Sequence, residues 1–164
     1  MVSASGNESP RAMKACVVAK SSQVVALGSV TSVPEKLLAA ARQACKGRSS
    51  DRLGGENRYA TSALIVKWEI MHGMKLEGAG FATGQSFPDA LASSFLLGAK
   101  GSILGLVAPV GDNAPMTSAI KAAVSAAASP ALMRVFGGVS SVPDAVRAQI
   151  TKAAGWTSWK TVAK

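Results

Sequence analysis

The sequence predicts an α/β fold: a three-layer arrangement in which a parallel sheet carries helices on both faces, forming a Rossmann-like repeat module. Two observations lead to this prediction. Short apolar segments alternate with helical segments along residues 59–128, and strands joined by helices in this way pair in parallel. The apolar segments are also continuous rather than alternating, which is typical of strands buried on both faces.

The predicted elements follow one another at short intervals. Helical segments are recognised by apolar side chains that recur on one face, and strands by short apolar runs bounded by glycine. In chain order we predict a strand at 24–27, a helix at 59–74, a strand at 78–83, a helix at 88–98, a strand at 102–107, a helix at 116–128 and a strand at 135–136.

A repeated phrase divides the chain into units. Residues 28–34 (GSVTSVP) return as residues 137–143 (GGVSSVP), 109 positions later, with five of the seven residues identical. In each copy an apolar strand ends at glycine and a helix follows, with serine expected as its N-cap, proline near its first position and an acid in its first turn. A period of about 110 residues is too long for a solenoid repeat and suits a small α/β domain.

The repeat predicts three segments. Residues 1–50 are interpreted as the C-terminal part of a preceding unit, residues 51–154 as one unit, and residues 155–164 as the start of a following unit or an edge strand. We therefore expect this chain to be a piece of a longer repeat protein. The N-terminal residues lack the basic-then-apolar build of a signal peptide, and a fragment need not carry one.

Composition argues against several kinds of site. No run of about 18 apolar residues occurs, so no membrane span is expected. One histidine (His72) and two distant cysteines (Cys16 and Cys45) do not form an ordinary zinc or iron site, so neither a metal nor a cofactor is predicted. The two cysteines are compatible with a disulfide or with buried free thiols, and we favour the thiols.

The net charge of +9 lies on the two flanking segments of the chain. Seven basic residues face two acids in residues 1–50, and six face two in residues 111–164, whereas residues 51–110 balance at five and five. Such a surface favours an anionic polymer, although solvated helix faces would give the same count. Nucleic acid is not an expected partner, because only 5% of the residues are aromatic and no nucleic-acid-binding motif occurs.

Residues 84–88 (GQSFP) are the strongest candidate for a catalytic serine, because they join a predicted strand to a predicted helix. A nucleophile elbow needs glycine on both sides of the serine, but Pro88 replaces the second one, and His72 lies upstream of Ser86. Ser86 or Phe87 is expected to introduce this helix, and we interpret Ser86 as a helix cap. The glycines form neither a dinucleotide fingerprint nor a phosphate loop, so no catalytic residue is predicted and the chain is not expected to be an enzyme.

Three motifs occur in order over roughly residues 51–154: residues 51–63 (DRLGGENRYATSA), residues 82–94 (ATGQSFPDALASS) and the phrase at 137–143. Together they resemble the cell wall binding repeat 2 family. The resemblance implies a secreted surface protein of a Gram-positive bacterium, whose units pack in threes and attach non-covalently to anionic wall polymers. Two positions depart from the family pattern: Ser62 replaces a preferred alanine, and Gly105 interrupts a strand that is usually aliphatic.

The candidate ligand-binding residues lie in these motifs. Ligands of open parallel sheets approach the carboxyl ends of the strands, and arginine binds phosphate or carboxylate through two hydrogen bonds. The alternative is structural: the arginines pair with neighbouring acids (Asp51, Glu56 or Asp89) to hold their loop, and Asp89 caps its helix. The candidate set is Arg52, Asn57, Arg58, Ser86, Asp89, Gly137 and Gly138.

Two functions follow from this reasoning. The first is a non-catalytic module that anchors a surface protein to an anionic cell-wall polysaccharide or teichoic-acid-like polymer. The second is a structural module that packs against neighbouring repeats or copies of itself, with a trimer favoured, and binds no ligand of its own. Alanines within residues 122–128 are the predicted packing surface for the second function, because small side chains allow close approach.

Overall fold

The structure, a computed structural model, describes residues 23–44, 49–111, 113–126 and 129–157. The chain forms two compact units, Met1–Asn57 and Arg58–Lys164. The predictions for Cys16, Cys45 and residues 159–163 lie outside the described residues. The limits of the repeat unit inferred from the sequence stay a prediction, since compactness and sequence repetition are different criteria.

The described part of the first unit is a strand, a helix and a strand. Strand β1 (Gln23–Leu27) is followed by helix α1 (Glu35–Ala44) and strand β2 (Ser49–Leu53). The two strands are parallel, with Gln23 opposite Ser49 and Leu27 opposite Leu53. Beyond the strand, the amide of Gly28 donates to the carbonyl of Leu53 at 2.8 Å. The hydrophobic pattern misses β2 because its sequence, SSDRL, is mostly polar, and only pairing with β1 makes it a strand.

The second unit contains three parallel strands and four of the described helices. The sheet has the order β4–β3–β5, so β3 is central. This parallel sheet confirms the predicted fold class. In chain order the elements are α2 (Arg58–Met71), β3 (Lys75–Thr83), α3 (Pro88–Lys100), β4 (Ser102–Val107), α4 (Ala114–Ala126), β5 (Arg134–Phe136) and α5 (Asp144–Ala153).

Helices cover both faces of this sheet. On one face a Cβ placed on Gly80 would meet Leu97 of α3 at 2.5 Å. On the other face a Cβ on Gly105 would meet Phe81 and the sulfur of Met116 on α4. Around Phe81 lies the main core, to which β4 and the helices α2, α4 and α5 contribute apolar side chains: Ala63, Val66, Ile103, Val107, Met116, Ile120, Val146 and Ile150. The three-layer arrangement predicted from the sequence is therefore confirmed.

The apolar pattern locates the buried part of each element better than its ends. The strand predicted at 102–107 has the predicted bounds. Strand β3 begins at Lys75 rather than at 78, because its first three residues are exposed or half-exposed and carry no apolar run. Helix α3 continues to Lys100, where Gly101 at φ 64° ends it and donates its amide to the carbonyls of Leu97 and Gly98.

The repeated phrase adopts the same turn in both copies. The amides of Ser32 and Val33 donate to the carbonyl of Ser29 at 3.1 and 2.9 Å. At the second copy, 109 residues later, the amides of Ser141 and Val142 donate to the carbonyl of Gly138 at 3.0 and 2.9 Å. The glycines that open the two turns, Gly28 and Gly137, have φ values of 128° and 106°.

The predicted serine N-cap is wrong at the second copy of the repeated phrase. The N-cap of α5 is Pro143, without a side-chain capping bond. Ser141 lies two residues before that position, so its hydroxyl is too early in the chain to reach the free amides of the first helical turn. The amide of Val146 donates instead to the carbonyl of Pro143 at 2.9 Å.

Within the described ranges, no helix combines the length and the apolar character needed to cross a bilayer.

Candidate ligand-binding site

The candidate site lies at the carboxyl edge of the sheet, between β3 and β5. The chain leaves β3 towards α3 on one face of the sheet, and leaves β5 towards α5 on the other face. Neighbouring strands whose connections diverge in this way leave a crevice between their loops, and open parallel sheets bind ligands in such crevices. Residues 84–87 border the crevice on the β3 side, and residues 137–142 border it on the β5 side.

Arg58 reaches this edge from the first turn of α2. Its Nη1 donates to the carbonyl of Gly84 at 2.6 Å, and its side chain is exposed. Gly84 also admits Tyr59, because a Cβ at position 84 would lie 2.5 Å from the tyrosine ring. A guanidinium has five N–H donors, so it can bind an anion while one donor remains on the carbonyl.

Asp89 joins the two loops of the crevice. It lies half-buried in the first turn of α3, where the helix dipole favours an acid. A Cβ on Gly137 would lie 2.7 Å from Oδ2 of Asp89 and 3.0 Å from Cβ of Ser141. Close approach and a φ of 106° therefore both require glycine at position 137.

The interpretation of Ser86 as a helix cap is wrong. The N-cap of α3 is Phe87, in right-handed helical geometry and without a side-chain capping bond, and Pro88 is the first helical residue. Proline lacks an N–H, so the first turn of α3 has one unpaired donor fewer. Ser86 is exposed at the crevice, as is Gly138 on the opposite loop.

Arg147 is a structural residue of the site that the sequence analysis missed. Its side chain on α5 is 9% exposed, and it donates from Nε to the carbonyl of Val142 at 2.9 Å and from Nη2 to the carbonyl of Gly137 at 3.2 Å. Asp144 lies 3.9 Å from Nε. Arg147 thus holds the turn that borders the crevice. Its position beside Val146, on the apolar face of a helix, is the signal that could have revealed it.

Arg52 and Asn57 belong to the first unit. From β2, Arg52 donates to the carbonyl of Gly28 and to Oε1 of Glu35, both at 2.9 Å. Its acidic partner is therefore Glu35, and not one of the acids near it in the sequence. Arg52 supports the Gly28 carbonyl as Arg147 supports the corresponding carbonyl of Gly137. Asn57 is exposed at the end of this unit.

The arrangement does not bring a base to Ser86. His72 follows the last residue of α2, bonds to the carbonyl of Trp68 and stacks on that indole at 3.8 Å between centroids. Because α2 begins at the crevice and has 14 residues, its far end lies roughly 20 Å away along the helix axis. Glu69, whose pKa is raised by burial, lies in that distant part of α2 too.

In the part of the chain that the structure describes, no three His, Cys, Asp or Glu side chains are grouped so that they could hold a metal ion. The groups that the candidate residues bring to the crevice are the guanidinium of Arg58, the carboxylate of Asp89, the hydroxyl of Ser86 and the backbone of Gly137 and Gly138.

Comparison with known proteins identifies the family. The sequence profile of the family described as Cell wall binding domain 2 (CWB2) matches residues 52–147, more than half of the chain. The chain belongs to the CWB2 family. The resemblance inferred from the three sequence motifs is thus confirmed, and the matched CWB2 region includes Arg52, Arg58 and the whole crevice of the second unit. A comparison with curated proteins finds no match.

Solved structures share the CWB2 fold. Cwp6 from Clostridium difficile matches with a TM-score of 0.73 and 23% identity, over 88% of this chain and 22% of that one. Cwp8 from Clostridium difficile matches with a TM-score of 0.62 and 19% identity, over 80% of this chain and 20% of that one. This CWB2 chain therefore spans about a fifth of the length of the solved chains it matches.

Proposed function

We propose that this chain is a non-catalytic anchoring module, which holds a secreted surface protein to the cell wall by binding an anionic polysaccharide or a teichoic-acid-like polymer. Membership of a cell wall binding family supports the location and the class of partner. The observation that carries the proposal is the position of Arg58, whose guanidinium is tethered to the Gly84 carbonyl at the mouth of the crevice.

Each residue of the crevice is proposed to make a different contact with such a polymer. Arg58 binds a phosphate or carboxylate, since tethering to a carbonyl lowers the conformational entropy that binding would otherwise cost. Asp89 and Ser86 accept or donate hydrogen bonds to sugar hydroxyls. Gly138 carries no side chain, and an added Cβ there would meet only the Ser140 hydroxyl, at 3.9 Å, so the polymer can approach its backbone. Gly137 keeps this loop close to Asp89. The net charge of +9 adds long-range attraction to the anionic wall.

Arg52 and Asn57 are proposed as a second contact, on the first unit. Since Arg52 already supports Gly28 and Glu35, its replacement should reduce the stability of that unit together with any loss of binding. Arg58, whose described bond is to a single carbonyl, is the cleaner test.

Replacement of Arg58 by alanine is expected to weaken binding to purified cell walls by about tenfold or more, because a hydrogen bond to a charged group contributes roughly 1.5–3 kcal/mol. Lys100→Ala is the matched control. It removes the same charge from the last turn of α3, at the opposite edge of the sheet, so only the weak long-range attraction should change. Sedimentation of the protein with cell walls over a series of salt concentrations measures both. Equal losses in the two variants would assign binding to net charge alone.

A second candidate function is packing against neighbouring repeats or other copies of the chain, and one observation favours it. Helix α3 exposes Leu91 and Phe95, one turn apart, with Phe87 immediately before the helix; their exposed fractions are 66%, 86% and 76%. Three large apolar side chains at i, i+4 spacing form one stripe on a helix. The predicted alanine surface is less suitable, because Ala123 packs into the core of its own unit.

If α3 is an assembly surface, the double variant Leu91→Ser, Phe95→Ser should shift the chain from an oligomer, for which three copies are expected, to a monomer in light scattering. Met71→Ser is the control, since Met71 is an equally exposed apolar residue on α2, at 78%. A wild-type chain that is monomeric at high concentration would rule out self-association through this stripe. Wall binding measured on the same samples separates the two functions.

A further inference from the structure

The side chain of Arg58 is held from one side by Gly84. Nη1 of Arg58 donates to the Gly84 carbonyl at 2.6 Å, and a Cβ placed on Gly84 would lie 3.2 Å from Cδ of Arg58. In a guanidinium, Nη1 is the terminal nitrogen on the same side as Cδ, whereas the N–H groups of Nε and Nη2 point to the other side. Gly84 therefore lies along the Cδ–Nη1 edge, and the Nε–Nη2 edge is directed away from it.

The Nε–Nη2 edge is suited to an anion, because its two parallel N–H bonds match two oxygens carried by one phosphorus or carbon atom. Other arginines use their donors differently. Arg147 bonds through Nε and Nη2 to backbone carbonyls, and Arg52 bonds through Nη1 and Nη2 to a carbonyl and a carboxylate. The described bond of Arg58 is made by Nη1, and its side chain is exposed at the crevice.

We propose that Arg58 binds one phosphate or carboxylate group of the wall polymer through Nε and Nη2, and that Gly84 is the positioning residue that fixes this edge of the guanidinium in place. The inference rests on the proposed function, because it specifies how the crevice recognises an anion. It also predicts a dependence on the shape of the cation and not only on its charge.

The need for glycine at position 84 is spatial. Its φ lies outside the left-handed region, so alanine could adopt the same backbone. A Cβ at this position would lie 2.5 Å from Cε1 of Tyr59 in addition to its contact with Arg58. The loop itself is held to the sheet, since the amide of Gly84 donates to the carbonyl of Val107 at 3.1 Å. Alanine is therefore expected to displace the two side chains of α2 rather than the loop.

A double-mutant cycle on purified cell walls tests the positioning role. Arg58→Lys keeps the charge but replaces the planar fork by a single ammonium group. Each of the variants Gly84→Ala and Arg58→Lys should weaken binding by about tenfold. The double variant should bind no more weakly than Arg58→Lys alone, because Gly84 acts through the guanidinium. Gly98→Ala is the control, since no atom lies within 4 Å of its added Cβ, and it should bind as the wild-type chain does.

NMR of the Arg58 guanidinium nitrogens tests the geometry without any ligand. In the wild-type chain, rotation about the bonds to Cζ should be restricted by the Gly84 carbonyl, and this restriction should be lost in Gly84→Ala. A guanidinium that already rotates freely in the wild-type chain would overturn the inference. So would a loss of wall binding in Gly84→Ala that is the same whether residue 58 is arginine or lysine.

Two soluble polymers identify the anion. Polyphosphate offers phosphate groups and polygalacturonate offers carboxylates, and each is titrated into the wild-type chain and into Arg58→Lys, which have the same net charge. The polymer whose affinity falls by about tenfold in Arg58→Lys carries the recognised group. Equal affinities of the two chains for both polymers would mean attraction by charge alone and would overturn the contact through Nε and Nη2. A chain that fails to sediment with cell walls contradicts the proposed function, whereas the NMR measurement and these titrations judge the inference separately.

Discussion

Replacement of Gly80 by alanine is expected to lower the free energy of unfolding of the second unit by about 1–3 kcal/mol or more, the usual cost of overpacking a core. A Cβ at this position would lie 2.5 Å from Cδ1 of Leu97 and 2.6 Å from Cε2 of Phe136. Leu97 is 1% exposed, so its side chain cannot swing out into solvent without leaving the core. Either the central strand shifts or α3 moves away from the sheet.

Urea unfolding followed by tryptophan fluorescence measures this loss selectively. All three tryptophans, Trp68, Trp156 and Trp159, fall within Arg58–Lys164, so the signal reports the second unit alone. Gly98→Ala is the matched control. It lies on α3 with no atom within 4 Å of an added Cβ, and alanine in a helix should stabilise by up to about 1 kcal/mol. Unchanged stability of Gly80→Ala would contradict the close packing of α3 on β3.

Replacement of Asn113 by alanine is expected to be comparably destabilising. Asn113 is 2% exposed and bonds to both backbone groups of one residue: Oδ1 accepts from the amide of Ala108 at 2.8 Å, and Nδ2 donates to its carbonyl at 3.0 Å. The alanine variant would leave both groups buried without partners, at a cost of about 1–3 kcal/mol for each. The loop that follows β4 would lose the two described hydrogen bonds between a side chain and its backbone.

Asn113→Asp gives a control of nearly the same shape. At neutral pH a carboxylate would face the carbonyl of Ala108, so this variant should also be destabilised. A protonated carboxyl can accept from the amide and donate to the carbonyl, as asparagine does. Its stability relative to the wild-type chain at the same pH should therefore recover as the solution is acidified, whereas Asn113→Ala should show no such recovery. Parallel pH curves for the two variants would argue against this hydrogen-bond pair.

Both positions bear on the proposed binding site, because they maintain the carboxyl edge of the sheet. Gly80 keeps α3 close to the sheet, and the first turn of α3 carries Asp89 against Gly137. Asn113 holds the neighbouring loop after β4. Loss of wall binding in either variant would accordingly be indirect. Only Arg58→Ala, which leaves the core untouched, is expected to reduce binding without a comparable loss of stability.

Much of the fold could be predicted from the sequence. Continuous apolar runs such as 102–107 predicted buried parallel strands, because a strand covered on both faces has no room for polar alternation. Strand β2 could not be found in this way, because its polar residues form a strand only through pairing with β1. Capping was predicted wrongly at Ser86 and at Ser141, since serine favours an N-cap but proline sets where these two helices begin.

The sequence predicted which loops form the candidate site, but not the hydrogen bonds that hold those loops in place. The three motifs and the topology of a parallel sheet indicated which loops would border a crevice. The residue that holds the crevice, Arg147, was missed because a basic residue on a helix is expected to be solvated. Its buried hydrogen bonds to Val142 and Gly137 depend on a turn formed by a different part of the chain.

The amino-acid sequence alone determined the order of the elements other than β2, the parallel sheet, the family and the 109-residue repeat, because these follow from local polarity and from self-similarity along the chain. Only the tertiary structure decided which donor serves each buried carbonyl and where glycine is obligatory. It also decided which backbone N–H and C=O groups of β5 point towards β3. These features depend on distances between residues far apart in the chain, which a local sequence pattern does not contain. The carbonyls of Gly28 and Gly137 occupy equivalent positions in the repeat. Arg52 on a strand donates to the first carbonyl, and Arg147 on a helix donates to the second.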